Sequence, residues 1–389
     1  MKIAIDARMY QESGVGRYIR NLIYNLQKFD SKNEYFILLL QRDYDTLWAT
    51  SPRLVYHKQS LPILRKGNNF RKILANFRWY GISEQLKLPN ILNRLKPDLI
   101  HFPHFNVPIF YRGKFIVTIH DLIHQHFQMR RATTLNPITY KIKQLAYKKV
   151  FKNAITKSVK ILVPSSYVKN LLVNEWGISG DKIVVTPEAV DNKISTIVDK
   201  MSRERIDMVM RKFNIQTPYL FYVGNAHPHK NVEGLIKGFL KLKEKYPKLT
   251  LVLAGYDHYF WQRLQKENQH SRIIYTGYVS DGELVALYKQ AKAFVMPSFE
   301  EGFGIPLLET MACSCPVVSS NAGALKEVGG DAAIYFDPHN LGDMGSKIDR
   351  VLKSNELRTE LKRQGQKRVK QFSWEKLAKQ TLKGYQECV

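Results

Sequence analysis

Short apolar runs separated by helix-period segments recur along almost the whole chain, and this alternation limits its folding more than any other feature. In the first half the runs are KIAIDA (2–7), YFILLLQ (35–41), PDLIHF (97–102), FIVTIH (115–120), KILVPS (160–165) and KIVVTP (182–187). Each is too short to be a helix and apolar on both faces, as a strand buried on both sides must be. Between them lie patterns at helical spacing, such as YIRNLIYNLQKF (18–29) and YVKNLLVNEWG (167–177). Strand then helix, repeated, predicts a parallel sheet with helices on both faces. The pattern stops over the polar stretch 191–216 and restarts with YLFYVG (219–224), TLVLAG (250–255), IIYTG (273–277), AFVMP (293–297), PVVSS (316–320) and AAIYF (332–336). The expectation is two doubly wound α/β domains facing each other, at 1–190 and 217–372, with 191–216 as linker. At 389 residues, two cores are also the natural division.

Charge is divided unevenly between the halves. Of 60 Lys and Arg and 34 Asp and Glu, residues 1–170 hold 29 and 9, a net of +20, which leaves 31 and 25 for the rest, a net of +6. The excess is concentrated in 61–81 and 129–153, where cations alternate with apolar and aromatic residues. In the first stretch these are Arg65, Lys66, Arg71, Lys72 and Arg78 among Leu64, Phe70, Ile73, Phe77 and Trp79. In the second they are Arg130, Arg131, Lys141, Lys143, Lys148 and Lys149. Such a face suits an anionic membrane surface, a nucleic-acid backbone, or solvent alone. Cys313, Cys315 and Cys388 are too few and too badly placed for a disulfide framework or a zinc site, which fits a reducing, cytoplasmic setting. MKIAIDAR reads as a strand and not a signal peptide. No apolar run approaches a membrane span.

Ligands of doubly wound sheets bind beyond the carboxyl ends of the strands, where the strand order reverses. The first strand runs into ESGVGRY (12–18), where Gly14 and Gly16 allow close approach to a ligand and the following helix offers its N-terminal N–H groups to an anion. Ile19 stands where a dinucleotide fingerprint needs its third glycine, and no GK[ST] follows. In YVGNAHPHKN (222–231), Lys230 follows a glycine turn and precedes a helix, a site suited to a diphosphate. In SFEEGFGIPLLE (298–309), Gly302 and Gly304 expose backbone N–H groups, Pro306 fits a first helical turn, and Glu301 and Glu309 stand eight positions apart. Carboxylates accept hydrogen bonds from sugar hydroxyls. Lys230 with the glycine loop for the phosphates, Glu309 for a ribose diol and Glu301 for a second sugar together describe a nucleotide sugar. Glu300 reads as an ordinary loop residue. His120, Asp121, His124 and His126 in IHDLIHQH are residue types that could ligate a metal, and Asp43-Tyr44-Asp45, formally a DxD motif, is expected at the surface away from the donor motifs.

EGFGIPLLE with its E-x7-E spacing, the upstream Lys230, the paired α/β halves and SGVGRY after the first strand resemble glycosyltransferase family 4, retaining enzymes of GT-B architecture. The resemblance covers nearly the whole chain. It implies two Rossmann-like domains across a cleft, with the acceptor on the N-terminal side. It also implies that the final helix, SWEKLAKQTLKGYQE (373–387), crosses back to the first domain. Glu301 then contacts the donor sugar, Glu309 the ribose and Lys230 the diphosphate, with Gly224, Phe303 and Ile305 lining the donor loops. His120 reaches the donor sugar from the first domain. Asn225 stands where the family often has an Arg, so diphosphate binding falls more heavily on Lys230 and the loop amides. The resemblance implies hexose transfer with retention, no metal cofactor and a glycan or lipid-linked acceptor in cell-surface polysaccharide or glycolipid synthesis. It also fits peripheral attachment to the inner membrane face. Mannose, glucose, N-acetylglucosamine and rhamnose donors remain open, with GDP-mannose favoured by the IDAR…GVGRY start. The rival readings are a GT-B-type sugar-nucleotide epimerase and a basic nucleic-acid-binding protein. The second leaves the glutamates unexplained, so no nucleic-acid partner is expected.

Overall fold

The computed structural model describes residues 1–12, 14–46, 69–127, 137–256 and 259–388. The chain divides into two compact units. One comprises Met1–His120, Thr134–Glu188 and Trp374–Val389, the other Asp121–Thr133 and Ala189–Ser373. Each is built on a wholly parallel sheet.

In the first unit the strands are β1 (Lys2–Asp6), β2 (Glu34–Leu39), β3 (Phe70–Leu74), β4 (Leu99–Phe102), β5 (Phe115–Thr118), β6 (Lys160–Val163) and β7 (Ile183–Val185), in the order β3-β2-β1-β4-β5-β6-β7. Ile3 of β1 pairs with Tyr35 on one side and Leu99 on the other, so the order reverses between β1 and β4. Helices cover both faces, and Ile3, Ala4 and Ile5 are wholly buried. The Gly14–Phe29 helix buries Ile19, Leu22, Ile23 and Leu26, one stripe at helical spacing. Each such side chain contributes roughly 1.5–3 kcal/mol on burial. The Trp374–Gln386 helix packs against this same helix. Its Tyr385 hydroxyl meets His101 Nδ1 at 2.7 Å, and His101 Nε2 meets the Thr118 hydroxyl at 2.7 Å. Burial, and then the neighbouring His120, pull His101 down to about 3, so it serves this chain as a neutral ring.

In the second unit the strands are β8 (Tyr219–Val223), β9 (Thr250–Ala254), β10 (Ile273–Gly277), β11 (Ala293–Met296), β12 (Val317–Ser320) and β13 (Ala333–Phe336), in the order β10-β9-β8-β11-β12-β13. Here the order reverses between β8 and β11. Leu220, Leu235, Ile236, Phe239, Leu251 and Leu253 form the centre of its core.

Three sequence expectations need correction. FRKIL (70–74), assigned to a lipid-facing basic stretch, is the edge strand β3. Phe70 is buried and stacks on Tyr35 with centroids 4.4 Å apart, Arg71 pairs with Glu34 at 2.9 Å, and Lys72 Nζ donates to the Tyr44 carbonyl at 2.6 Å. Phe77 lies under the Arg8 guanidinium, 5.2 Å from its centroid. Residues 61–68 of that stretch and 129–136 of the other fall outside the described residues. The polar stretch 191–216 contains two helices of the second unit, Asn192–Lys200 and Arg203–Lys212, capped by Asp191 and Ser202. Each buries a single side chain, Ile194 or Ile206, which is why no helical stripe is visible in the sequence. Asp43 is not at the surface: its side chain is fully buried on the Gln41–Thr46 helix, 3.6 Å from Arg42. Burial raises its carboxyl, against the pull of Arg42. Asp45 accepts from Gln41 instead.

Candidate active site

The loops after β8 and β11 bring Lys230 and Glu301 together at the switch point of the second sheet. Lys230 Nζ lies 2.6 Å from Glu301 Oε1, and the Ser298 hydroxyl donates to the same oxygen at 2.7 Å. Both side chains are mostly buried, the carboxylate at 8% exposure. Two helix starts adjoin this pair. Lys230 ends the turn before the Val232–Lys245 helix, and Glu301 stands four residues before the Ile305–Ala312 helix. Neither start has a side-chain cap. Asn231 turns its amide away to the carbonyls of Pro297 and Pro338, both at 3.1 Å, and Gly304 has no side chain to offer. Two uncapped helix N-termini beside a lysine form an anion-binding arrangement.

Gly304 has φ +100°, and a Cβ there would come within 2.6 Å of Leu325 Cδ2, so the loop needs glycine at this position. Gly302 is buried beside Phe303, whose ring packs edge-on against Phe372, and Ile305 and Pro306 open the helix. Glu309 is buried five positions into that helix, with the Tyr288 hydroxyl 3.5 Å away. Gly224 follows β8 directly, and Asn225 is exposed, its side chain accepting from the His227 N–H at 3.3 Å and its carbonyl from Tyr222.

Glu300 is not an ordinary loop residue. It is 5% exposed, and His126 Nδ1 lies 2.8 Å from each of its oxygens. The short Ile123–His126 helix belongs to the second unit, and Phe127 beside it stacks near Phe299, so this segment braces the loop carrying Glu301. Gly323 supports the same loop from the other side. It has φ +59°, and a Cβ on it would meet the Glu301 carbonyl oxygen at 2.4 Å, while Ala324 N donates to that carbonyl at 2.9 Å. Neither role is visible in sequence, because the partners lie 174 residues apart in one case and across a helix in the other.

In the first unit the ring of His120 is turned inward. Nδ1 lies 2.9 Å from Glu188 Oε1, Nε2 lies 2.9 Å from the Pro103 carbonyl, and the Tyr18 ring stands edge-on to it at 5.0 Å. A carbonyl can only accept, so Nε2 donates to it. Glu188 was not anticipated from the sequence. Gly14 and Gly16 lie in the first turn of the Gly14–Phe29 helix. Gly14 is exposed, with open space around its Cβ direction. Gly16 is buried, and a Cβ there would meet the Tyr10 carbonyl at 2.6 Å and the Met9 carbonyl at 2.8 Å, so its smallness serves packing. The IHDLIHQH residues go separate ways: His120 to Glu188, Asp121 Oδ1 to the Ile123 N–H, His126 to Glu300.

Comparison with known proteins identifies the family. Residues 13–193 match the glycosyltransferase family 4 profile, and residues 206–368 match the glycosyl transferases group 1 profile. The chain is 30% identical over 306 residues to O-antigen chain mannosyltransferase B of Escherichia coli, covering 76% of this chain and 75% of that one. It is 24% identical over 302 residues to O-antigen chain mannosyltransferase RfbU of Salmonella typhimurium, covering 77% of each. The crystal structure of Anabaena HepE in complex with UDP-glucose superposes with a TM-score of 0.72 at 14% identity, covering the whole of both chains, and shares the fold. The chain belongs to the family 4, group 1 glycosyltransferases, and its two parallel-sheet units are those of the GT-B fold.

Proposed function

We propose that this enzyme moves a hexose, mannose before others, from a nucleoside-diphosphate donor to a glycan or lipid-linked acceptor in cell-surface polysaccharide synthesis. Both O-antigen relatives are mannosyltransferases, which supports the sugar and the pathway class. The observation that carries the donor reading is the Lys230–Glu301 pair between two uncapped helix starts. Lys230 and the helix N–H groups take the negative charge that develops on the departing diphosphate. Glu301, one lysine away, accepts from hydroxyls of the transferred sugar, and Glu309 from the ribose. His120, held by Glu188 and the Pro103 carbonyl, is a sugar-site residue of the first unit. The reaction retains anomeric configuration by same-face substitution, the leaving phosphate helping to remove the acceptor proton, and needs no metal.

The test is turnover of a panel of GDP- and UDP-sugars by the purified chain, with and without excess EDTA. GDP-mannose is expected to be consumed fastest, at a rate EDTA leaves unchanged, and NMR of the product is expected to show the donor's α configuration. A Mg2+-reversible loss in EDTA would overturn the metal-free reading, and an inverted product would overturn retention.

We also propose cytoplasmic-face attachment through the Pro137–Lys157 helix of the first unit. Ile142 and Leu145 are 62% and 68% exposed on it, among exposed Lys141, Lys143, Lys148 and Lys149. Each cation near an anionic leaflet contributes on the order of 1 kcal/mol, and the two apolar side chains reach the headgroup boundary. Among the described residues no helix is long and apolar enough to cross a membrane. In flotation assays the chain is expected to bind anionic liposomes at low salt and be released by high salt. The double variant Ile142→Asp, Leu145→Asp should bind weakly under both conditions. Equal recovery of wild type in the unbound fraction with anionic and neutral liposomes would end the idea.

A further inference from the structure

Two adjacent carboxylates in the loop after β11 are fixed by different partners. Glu301 meets Lys230 and the Ser298 hydroxyl. Glu300 is buried and meets His126, whose Nδ1 lies 2.8 Å from each of its oxygens. With Glu300 ionised, Nδ1 is the donor. The segment that carries His126 is itself tied down. Asp121 Oδ1 accepts from the Ile123 N–H at 3.0 Å, the Gln125 N–H reaches the Leu122 carbonyl at 2.7 Å, and the Phe127 N–H reaches the Ile123 carbonyl at 2.9 Å. Leu122 and Ile123 are buried, which anchors it. Phe127 extends the contact to both donor loops: its ring lies 6.5 Å from that of Phe299, nearly parallel, and 6.0 Å from that of His229. Burial, and then Lys230, pull His229 down to about 3, so it stands beside Lys230 as a neutral ring and adds no second charge. The turn that carries Lys230 has further bonds of its own. Lys230 N donates to the His227 carbonyl at 2.8 Å, Asn231 N donates to the Pro228 carbonyl at 3.1 Å, and the Asn231 amide holds the turn to Pro297 and Pro338.

We propose that His126 is a positioning residue of the donor site, which through Glu300 sets the Glu301 carboxylate for the transferred sugar and leaves the diphosphate end of the site to Lys230. The proposal rests on the donor reading above and divides that site into two separately supported ends. Glu300 and Glu301 share one planar peptide, so a fixed Glu300 limits where Glu301 can swing. Without the His126 N–H, Glu300 is a buried carboxylate that has lost a donor, and its turning towards water would rotate the peptide that leads into Glu301. The Lys230 turn is held by bonds that do not pass through Glu300, so the diphosphate end keeps its place. The His126 side chain is 27% exposed, so exchanging it opens no core.

The test sets GDP, which lacks the sugar, against GDP-mannose on the full chain, with GDP affinity read by titration calorimetry and GDP-mannose by turnover. If the panel selects another donor, that donor and its nucleoside diphosphate take their place. In His126→Leu, turnover should fall about tenfold, the scale of a misplaced contact group, while the Kd for GDP stays at the wild-type value. His126→Asn, which returns an amide N–H close to the Nδ1 position, should recover most of the turnover. Unchanged turnover in His126→Leu, or no recovery in His126→Asn, would overturn the proposal. So would a loss of GDP affinity in step with turnover, because His126 would then support the whole loop pair and not its sugar end. Retained GDP binding also shows that the variant is folded. A wild type that neither binds GDP nor consumes any nucleotide sugar fails the donor reading and this proposal with it, whereas an active wild type matched by His126→Leu fails this proposal alone.

Discussion

Lys230→Ala should lower donor turnover by about ten- to a hundredfold with the fold intact, the loss of roughly 1.5–3 kcal/mol expected when a charged hydrogen bond to a ligand is removed. The structure adds a second cause. Lys230 is the cation on Glu301, whose carboxylate is otherwise held by the Ser298 hydroxyl, so removing the lysine also unbalances that carboxylate. Lys230→Ala and Glu301→Gln together should therefore cost much less than the sum of the two single changes. Glu309→Gln, on the following helix and outside that contact, should impair donor use on a similar scale and combine with Lys230→Ala nearly additively. Steady-state kinetics against the best donor in the panel is the measurement. Wild-type parameters in Lys230→Ala and Glu309→Gln would remove the donor site from this loop.

Arg8→Met is expected to be among the most destabilising single changes in the first unit. Arg8 is bonded to both oxygens of Asp6, at 2.8 and 2.7 Å, and to Glu84. The change leaves Asp6 and Glu84 facing each other in a buried place with no cation, a situation that typically costs about 3–5 kcal/mol. The midpoint of urea or thermal unfolding should fall accordingly, and Glu84→Gln in the Arg8→Met background should restore part of the loss. Burial already raises the Glu84 carboxyl, against the opposing pull of Arg8 and Asn106. Without Arg8 that rise must grow. A carboxyl with a raised folded-state pKa binds more protons folded than unfolded, so the deficit should shrink as pH is lowered towards its ordinary value near 4.5. A variant with wild-type stability at neutral pH, or a deficit that grows on acidification, would show that the cluster does not hold this part of the fold.

Strands buried on both faces were legible in the sequence because nothing but a doubly covered sheet requires such runs, and β1, β5, β9 and β12 lie where those runs are. β3 was not, because an edge strand buries little: of FRKIL only Phe70 is inside, and the cations around it suggested a surface. Lys230 and Glu301 could be grouped from spacing, since both sit in strand-to-helix loops whose positions the pattern fixes. Glu300 and Asp43 were misjudged for a common reason. An acidic residue in a loop or a short polar helix looks solvated unless its tertiary surroundings are known, and neither His126 nor the enclosure around Asp43 leaves a local trace. Gly323 and Glu188 share that cause. Their importance lies wholly in what they touch.

The membership of the two units has a consequence for how the protein is made. The first unit takes in Trp374–Gln386, whose Tyr385 and Trp374 are buried in it, while the second is finished by Ser373. On a ribosome, the downstream unit can therefore complete its core while the upstream one still lacks a helix. Until residues 374–386 emerge, the Tyr18 and His101 surface that this helix covers has no native cover. The growing chain is expected to hold an unfinished first unit throughout synthesis of the second and to close it only once residues 374–386 are out.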